Sequence, residues 1–170
     1  MTTYSRPPGA NQSDFVDARQ FEEEVGTWLG DFKIANLDSS TRMDYWIPGV
    51  QLDVKEQKSP LGDRFTKHWP GVEQLDLFVI DELSVRRALH DHGTSAYFLI
   101  RQRPTGRLFL ARADEMACTE RVRLDRETSP GNKKGKWLVR LSGFRQITAH
   151  RSLLDVVLGG QIALPWKRSE

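Results

Sequence analysis

The residues best suited to chemistry lie in one stretch, VQLDVK at positions 50–55. Val50, Leu52 and Val54 alternate with Gln51, Asp53 and Lys55, the period-two pattern of a strand with one apolar face. Asp53 and Lys55 therefore share the other face. Upstream, MDYWI at 43–47 reads as a second strand, with Pro48-Gly49 between the two. A two-residue hairpin pairs Ile47 with Val50, Trp46 with Gln51 and Tyr45 with Leu52, which sets Asp44 directly across from Asp53. Widening the turn symmetrically keeps this pairing, whereas a one-residue bulge breaks it. Like charges facing each other weaken a sheet by up to about 1 kcal/mol. A divalent cation reverses that sign. Mg²⁺, or Mn²⁺ in its place, prefers hard oxygens and takes one or two carboxylates with waters and a substrate phosphate. Lys55 then suits holding an attacking water or stabilising charge that develops on the phosphate. The pattern points to metal-assisted hydrolysis of a phosphate ester on an open strand face.

Other acid-x-Lys tripeptides lack this setting. Asp31-Phe32-Lys33 follows a helix end, and Glu56-Gln57-Lys58 lies where the strand leaves the sheet, with its acid and lysine on the opposite parity from Asp53. An ordinary charged strand face is the structural rival for Asp44, Asp53 and Lys55.

The elements that must position these residues are legible on either side. Ser13 or Asp14 caps a helix through DFVDARQFEEEVGTWLG, with Phe21, Val25, Trp28 and Leu29 on one face and Gly30 ending it. FKIANLD reads as a short strand. Residues 59–70, with Pro at both ends, read as an irregular loop. LDLFVI leads into DELSVRRALHDHG, a helix capped by Asp81, lined by Leu83, Val85, Ala88 and Leu89, and closed by Gly93. SAYFLIRQ and RLFLARA form a hairpin about RPTG, ERVRLDRE and KWLVRLSGF are strands about a polar loop TSPGNKKGK, and SLLDVVLG is a last short helix.

In this order the residues resemble the PD-(D/E)XK nuclease superfamily. Its core is a helix, a three-stranded meander, a second helix and a further strand. Asp44 matches the first acid of its motif, and Asp53 with Lys55 matches the acid-x-Lys, in the aspartate version. Phe21-Glu22-Glu23-Glu24-Val25 matches the F-E-x-x-V setting of a glutamate on the first helix, which points to Glu22, with Glu24 as the substitute. Gln57 matches a further polar position after the lysine. The resemblance spans residues 14–101. It implies an α/β, restriction-endonuclease-like core, Mg²⁺ ligated by Asp44, Asp53 and Glu22, and a catalytic set that adds Lys55 and Gln57.

Composition bounds the rest. At 170 residues and 38% hydrophobic content the chain supports one domain, expected over residues 13–170 after a flexible arm at 1–12. Lys and Arg number 25 against 23 Asp and Glu, so net charge alone announces no nucleic-acid partner. Between Thr119 and Arg151, however, nine bases face three acids. Residues 117–170 therefore form a basic, β-rich C-terminal extension in which Arg121, Arg123, Lys133, Lys134, Lys136 and Arg140 are the expected nucleic-acid contacts. DNA is the expected partner, with RNA open, and a symmetric homodimer follows if both strands of a duplex are cut. His90 and His92 sit on different helix faces, unsuited to one metal. A lone cysteine, Cys118, excludes a disulfide framework or zinc ribbon and is expected to be a buried thiol. No membrane span or apolar leader is visible, so a soluble, intracellular (cytoplasmic) protein is expected. A catalytically inactive nucleic-acid-binding or protein-interaction domain on the same fold is the rival.

Overall fold

Phe21, Val25 and Leu29, four residues apart, line one face of helix α1 (Ala10–Leu29) and are completely buried. Gly30 ends the helix with φ +54°, a conformation costly for any residue carrying a Cβ. The computed structural model describes residues 3–4, 10–30, 34–35, 43–47, 49–129, 131–148 and 153. The apolar face of α1 packs on β4 (Val50–Gln57) through Val50, Leu52 and Val54, which contribute to the same buried cluster.

β4 is the third strand of an antiparallel meander with β2 (Ile34–Ala35) and β3 (Tyr45–Ile47). On its other edge it pairs in parallel with β6 (Ala96–Gln102), which requires a crossover. β5 (Leu77–Asp81) and α3 (Glu82–His92) supply it. The Asp81 side chain caps α3 by accepting from Leu83 N at 3.0 Å. β7 (Arg107–Arg112) makes a hairpin with β6, and β10 (Arg145–Ile147) adds an edge. The resulting sheet runs β10-β7-β6-β4-β3-β2. The fold is α/β, with the expected order of helix, meander, helix and strand.

A second sheet runs β1-β8-β9-β5, from Thr3–Tyr4 (β1), Arg121–Ser129 (β8), Asn132–Arg140 (β9) and β5. Phe98 and Ile100 of β6, Val85 and Ala88 of α3, Met116 of α4 (Ala113–Cys118) and Ile80, Trp137 and Val139 of the second sheet form one core between the two sheets. On the second sheet's far face, Leu77, Leu124 and Leu138 lie under Phe65 of α2 (Asp63–Thr66). The basic third is thus built into the molecule, with a strand from mid-chain as its edge.

Several expectations change. Two residues of the expected arm, Thr3 and Tyr4, pair in parallel with Asp125 and Arg126, and α1 starts at Ala10 instead of Ser13 or Asp14. The loop at 59–70 contains α2. Leu83 is 43% exposed, because it lies roughly 160° round the helix from Val85. The polar loop TSPGNKKGK is mostly strand, with pairing that continues to Ser129 and Asn132. α4 and β10 have no counterpart in the sequence reading. The last expected helix lies outside the described residues except for Leu153, which is helical and buried.

Candidate active site

The hairpin register is as expected: Ile47 pairs with Val50, Trp46 with Gln51 and Tyr45 with Leu52. Gly49, at φ +79°, has the left-handed backbone that the third position of a type II turn requires. Asp44 precedes β3 by one residue, and its Oδ2 accepts a hydrogen bond from Val54 N at 2.5 Å. That bond ties the Asp44 carboxylate to the backbone immediately after Asp53.

The strand face is not open. Asp53 is 2% exposed. Phe98 and Ile100, its partner and that of Lys55 on β6, are completely buried in the core between the sheets, so the polar face of β4 closes where it meets that core. The Lys55 ammonium donates to Asp53 Oδ1 and reaches 3.5 Å from Val54 O. Burial pushes the Asp53 carboxyl up, Lys55 pulls it down and Asp44 pushes it up again, to about 7. For Lys55, a third exposed, burial disfavours its charge, but the carboxylates of Asp53, Asp44 and Glu22 more than restore it, so its pKa is raised as well.

Glu22, on α1, lies within electrostatic reach of Asp44 and Lys55. Burial raises its pKa, the Asp44 carboxylate raises it further and Lys55 opposes both. Tyr45 fixes the helix against the hairpin by donating its hydroxyl to Glu22 O at 2.6 Å. Glu24 is instead ion-paired with Arg101, whose Nε donates at 2.9 Å to Glu56 Oε1. Of the two candidates, the structure brings Glu22 to the cluster. Tyr45 is a positioning residue that the sequence shows only as the cross-strand partner of Leu52. Gln57 is used by the fold: its Nε2 donates to Leu77 O at 2.9 Å and its Oε1 accepts from Gln102 Nε2 at 3.3 Å. That tie joins β4 to β5 and β6.

Among the described residues, no three His, Cys, Asp or Glu side chains stand close enough together to hold a metal ion. The donors present are the Asp44 and Asp53 carboxylates, with Glu22 within electrostatic reach. This set fits Mg²⁺, which uses one or two carboxylates and keeps several waters. A cation between Asp53 and Asp44 would also offset the burial and the like charge that raise the Asp53 pKa. Cys118 is exposed, not buried: it ends α4, whose inward positions are Ala113 and Met116.

The basic third is less unpaired in space than along the chain. Arg123 Nε donates to Glu82 at 2.8 Å, Arg140 Nε to Asp76 at 3.3 Å, and Lys134 and Lys136 both bond Asp81. These acids come from β5, α3 and the segment before them, so a local count misses them. Arg121 stacks 4.3 Å from the Trp137 ring and donates to Thr119 O at 3.2 Å. Lys133 is exposed.

No family model matches the sequence, and no curated protein matches it. A solved structure does: that of D212, a nuclease from a fusselovirus, which superposes with a TM-score of 0.50 at 12% identity and covers 93% of this chain and 99% of its own. At that identity the likeness is one of fold, and it extends over both sheets. The architecture that brings Glu22, Asp44, Asp53 and Lys55 together is thus one that a viral nuclease shares nearly end to end.

Proposed function

We propose that this chain is a metal-dependent nuclease of the PD-(D/E)XK type that hydrolyses phosphodiester bonds in DNA. The observation that carries the reading is the convergence of Glu22, Asp44, Asp53 and Lys55, from α1, the start of β3 and β4, into one electrostatically coupled cluster. Asp44 and Asp53, with Glu22 beside them, would hold Mg²⁺ or Mn²⁺. Bound there, the ion would supply Lewis-acid stabilisation of the phosphoryl oxygens and a water of lowered pKa.

The chain's own groups define the rest. The three acids keep Lys55 an ammonium at neutral pH, so it serves as a hydrogen-bond donor and positive charge for the pentacovalent phosphate, not as the base. Asp44 is held by the Val54 amide, and this fixes the second carboxylate relative to Asp53 before substrate arrives. The bases of β8 and β9 are the proposed contacts to the DNA backbone. The parent chain is expected to cleave DNA with Mg²⁺ or Mn²⁺ and to stop in EDTA; cleavage that persists in EDTA would refute metal dependence.

One observation favours the rival, a catalytically silent DNA-binding domain: Lys55 is bonded to Asp53 and satisfies its charge internally. Binding of DNA without hydrolysis in any divalent metal would select it.

A further inference from the structure

The bases of the second sheet are not equally compensated. Glu82 Oε1 accepts from Arg86 at 2.8 Å and Glu82 Oε2 from Arg123 at the same distance, while Asp125 lies 3.9 Å from Arg123 as a second acid. Asp76 holds Arg140 and also accepts from Ser142 N. On the face opposite Arg123, farther along β9 from Arg140, the balance differs. Arg126 stands directly across from Lys134 in the β8–β9 register, and Lys136 lies two residues along on the same face, paired with Leu124. Asp81, across from Lys136 on β5, is the acid that bonds both lysines. Asp81 thus answers both lysines, and Arg126 stands beside them as a third cation.

Three features make this a built site and not a solvated surface. The apolar half of the face, Leu77, Leu124 and Leu138, is covered by Phe65 and Trp69, and the charged half continues beyond that cover. Arg126 is on a strand paired on both sides, with β9 and with β1, so its position is fixed. Its Nε is buried and has no hydrogen-bond acceptor among the described residues, a donor that an incoming anion would satisfy. The electrostatics agree: burial lowers the pKa of Lys136, Asp81 opposes this, and the neighbouring Lys134 and Arg126 charges lower it again.

We infer that Arg126, Lys134 and Lys136 form a phosphate-backbone contact for the DNA substrate, with Asp81 as the internal counter-ion that holds the lysines until phosphate replaces it. This rests on the nuclease reading for the identity of the anion, and it narrows the DNA surface to a cluster in which three cations stand beside one carboxylate. Asp81 does two jobs, capping α3 and competing with phosphate, and Asn preserves the first while removing the second.

The test is fluorescence anisotropy of a labelled DNA oligonucleotide in EDTA over a series of NaCl concentrations, with cleavage in Mg²⁺ followed in parallel and circular dichroism on each variant. Arg126→Gln and Lys134→Gln should each weaken binding by about tenfold at low salt and reduce the salt slope by roughly one. Asp81→Asn should tighten binding, a direction that mere damage to the fold would not produce. Lys134, 48% exposed, carries the test if Arg126→Gln fails to fold. Unchanged affinity and slope in folded Lys134→Gln, or displacement of the DNA by an equal concentration of inorganic phosphate, would overturn the proposal. If the parent cleaves while these variants bind normally, this contact alone is wrong. If the variants lose binding but the parent never cleaves, the contact stands and the nuclease reading falls.

Discussion

At the scale of single residues, Asp53 carries the greatest tension between stability and function. Its pKa in the folded chain, about 7, lies above the ordinary carboxylate value of 3.8. The folded state therefore holds this proton more tightly than the unfolded one. The stability this contributes is complete below about pH 4 and is lost as pH rises through about 7. Asp53→Asn should accordingly melt higher than the metal-free parent at pH 8, by about 2–4 kcal/mol, with the gap closing toward pH 4; equal melting at pH 8 would show that the buried charge is not a burden. The hairpin register, from Tyr45 opposite Leu52 to Ile47 opposite Val50, was legible in the sequence because a hairpin's pairing is local, whereas Asp44, expected across from Asp53, lies just outside β3 and bonds the Val54 amide. The burial of Asp53 was not legible, since Phe98 and Ile100 reach it from a strand more than forty residues away. Gln57 shows the same limit: its partners Leu77 and Gln102 are distant in sequence, so its tie to β5 and β6 could not be read locally. Gln57→Ala, which strands the Leu77 carbonyl, should lower stability by about 1–3 kcal/mol in a denaturant melt.

At the scale of elements, the join between β5 and α3 depends on Asp81. Burial raises its pKa, but the hydrogen bond from Lys134, the Lys136 and Lys134 charges and the Leu83 amide outweigh this and leave it lowered. Its contribution to stability is therefore present above the ordinary carboxylate pKa and is lost as pH falls through the lowered one. Asp81→Ala, which removes cap and ion pairs together, should cost about 1–2 kcal/mol at pH 7 and progressively less in acid, read from thermal melts. Asp81→Asn should recover the capping part. This helix, α1 and the β6–β7 hairpin were legible because each has its own periodicity and its own terminating glycine. α4 was not, since six residues give too little pattern, and β8 and β9 looked like a loop near their turn because their paired residues there are polar on both faces.

At the scale of the molecule, the sequence suggested a core with a basic extension, and the structure joins them. β5 leaves the first sheet's crossover to edge the second, and Trp137 packs in the same cluster as Phe98 and Met43. Such a shared core implies one cooperative unit. Trp137→Ala should cost about 3–5 kcal/mol and lower a single melting transition seen alike by far-UV and near-UV circular dichroism; two separated transitions would show that the sheets unfold independently. Local charge counts misjudged the extension for the same reason, because Asp76, Asp81 and Glu82 arrive from elsewhere in the chain to answer its bases. The central claim remains the chemistry of the four-residue cluster, and one measurement reaches it most directly: cleavage of plasmid, linear, branched and single-stranded DNA in Mg²⁺ or Mn²⁺ by the parent, Asp53→Ala and Lys55→Ala. The account predicts that the parent cleaves at least one of these substrates and that both variants, folded by circular dichroism, are inactive on it. Full activity in folded Asp53→Ala would contradict it.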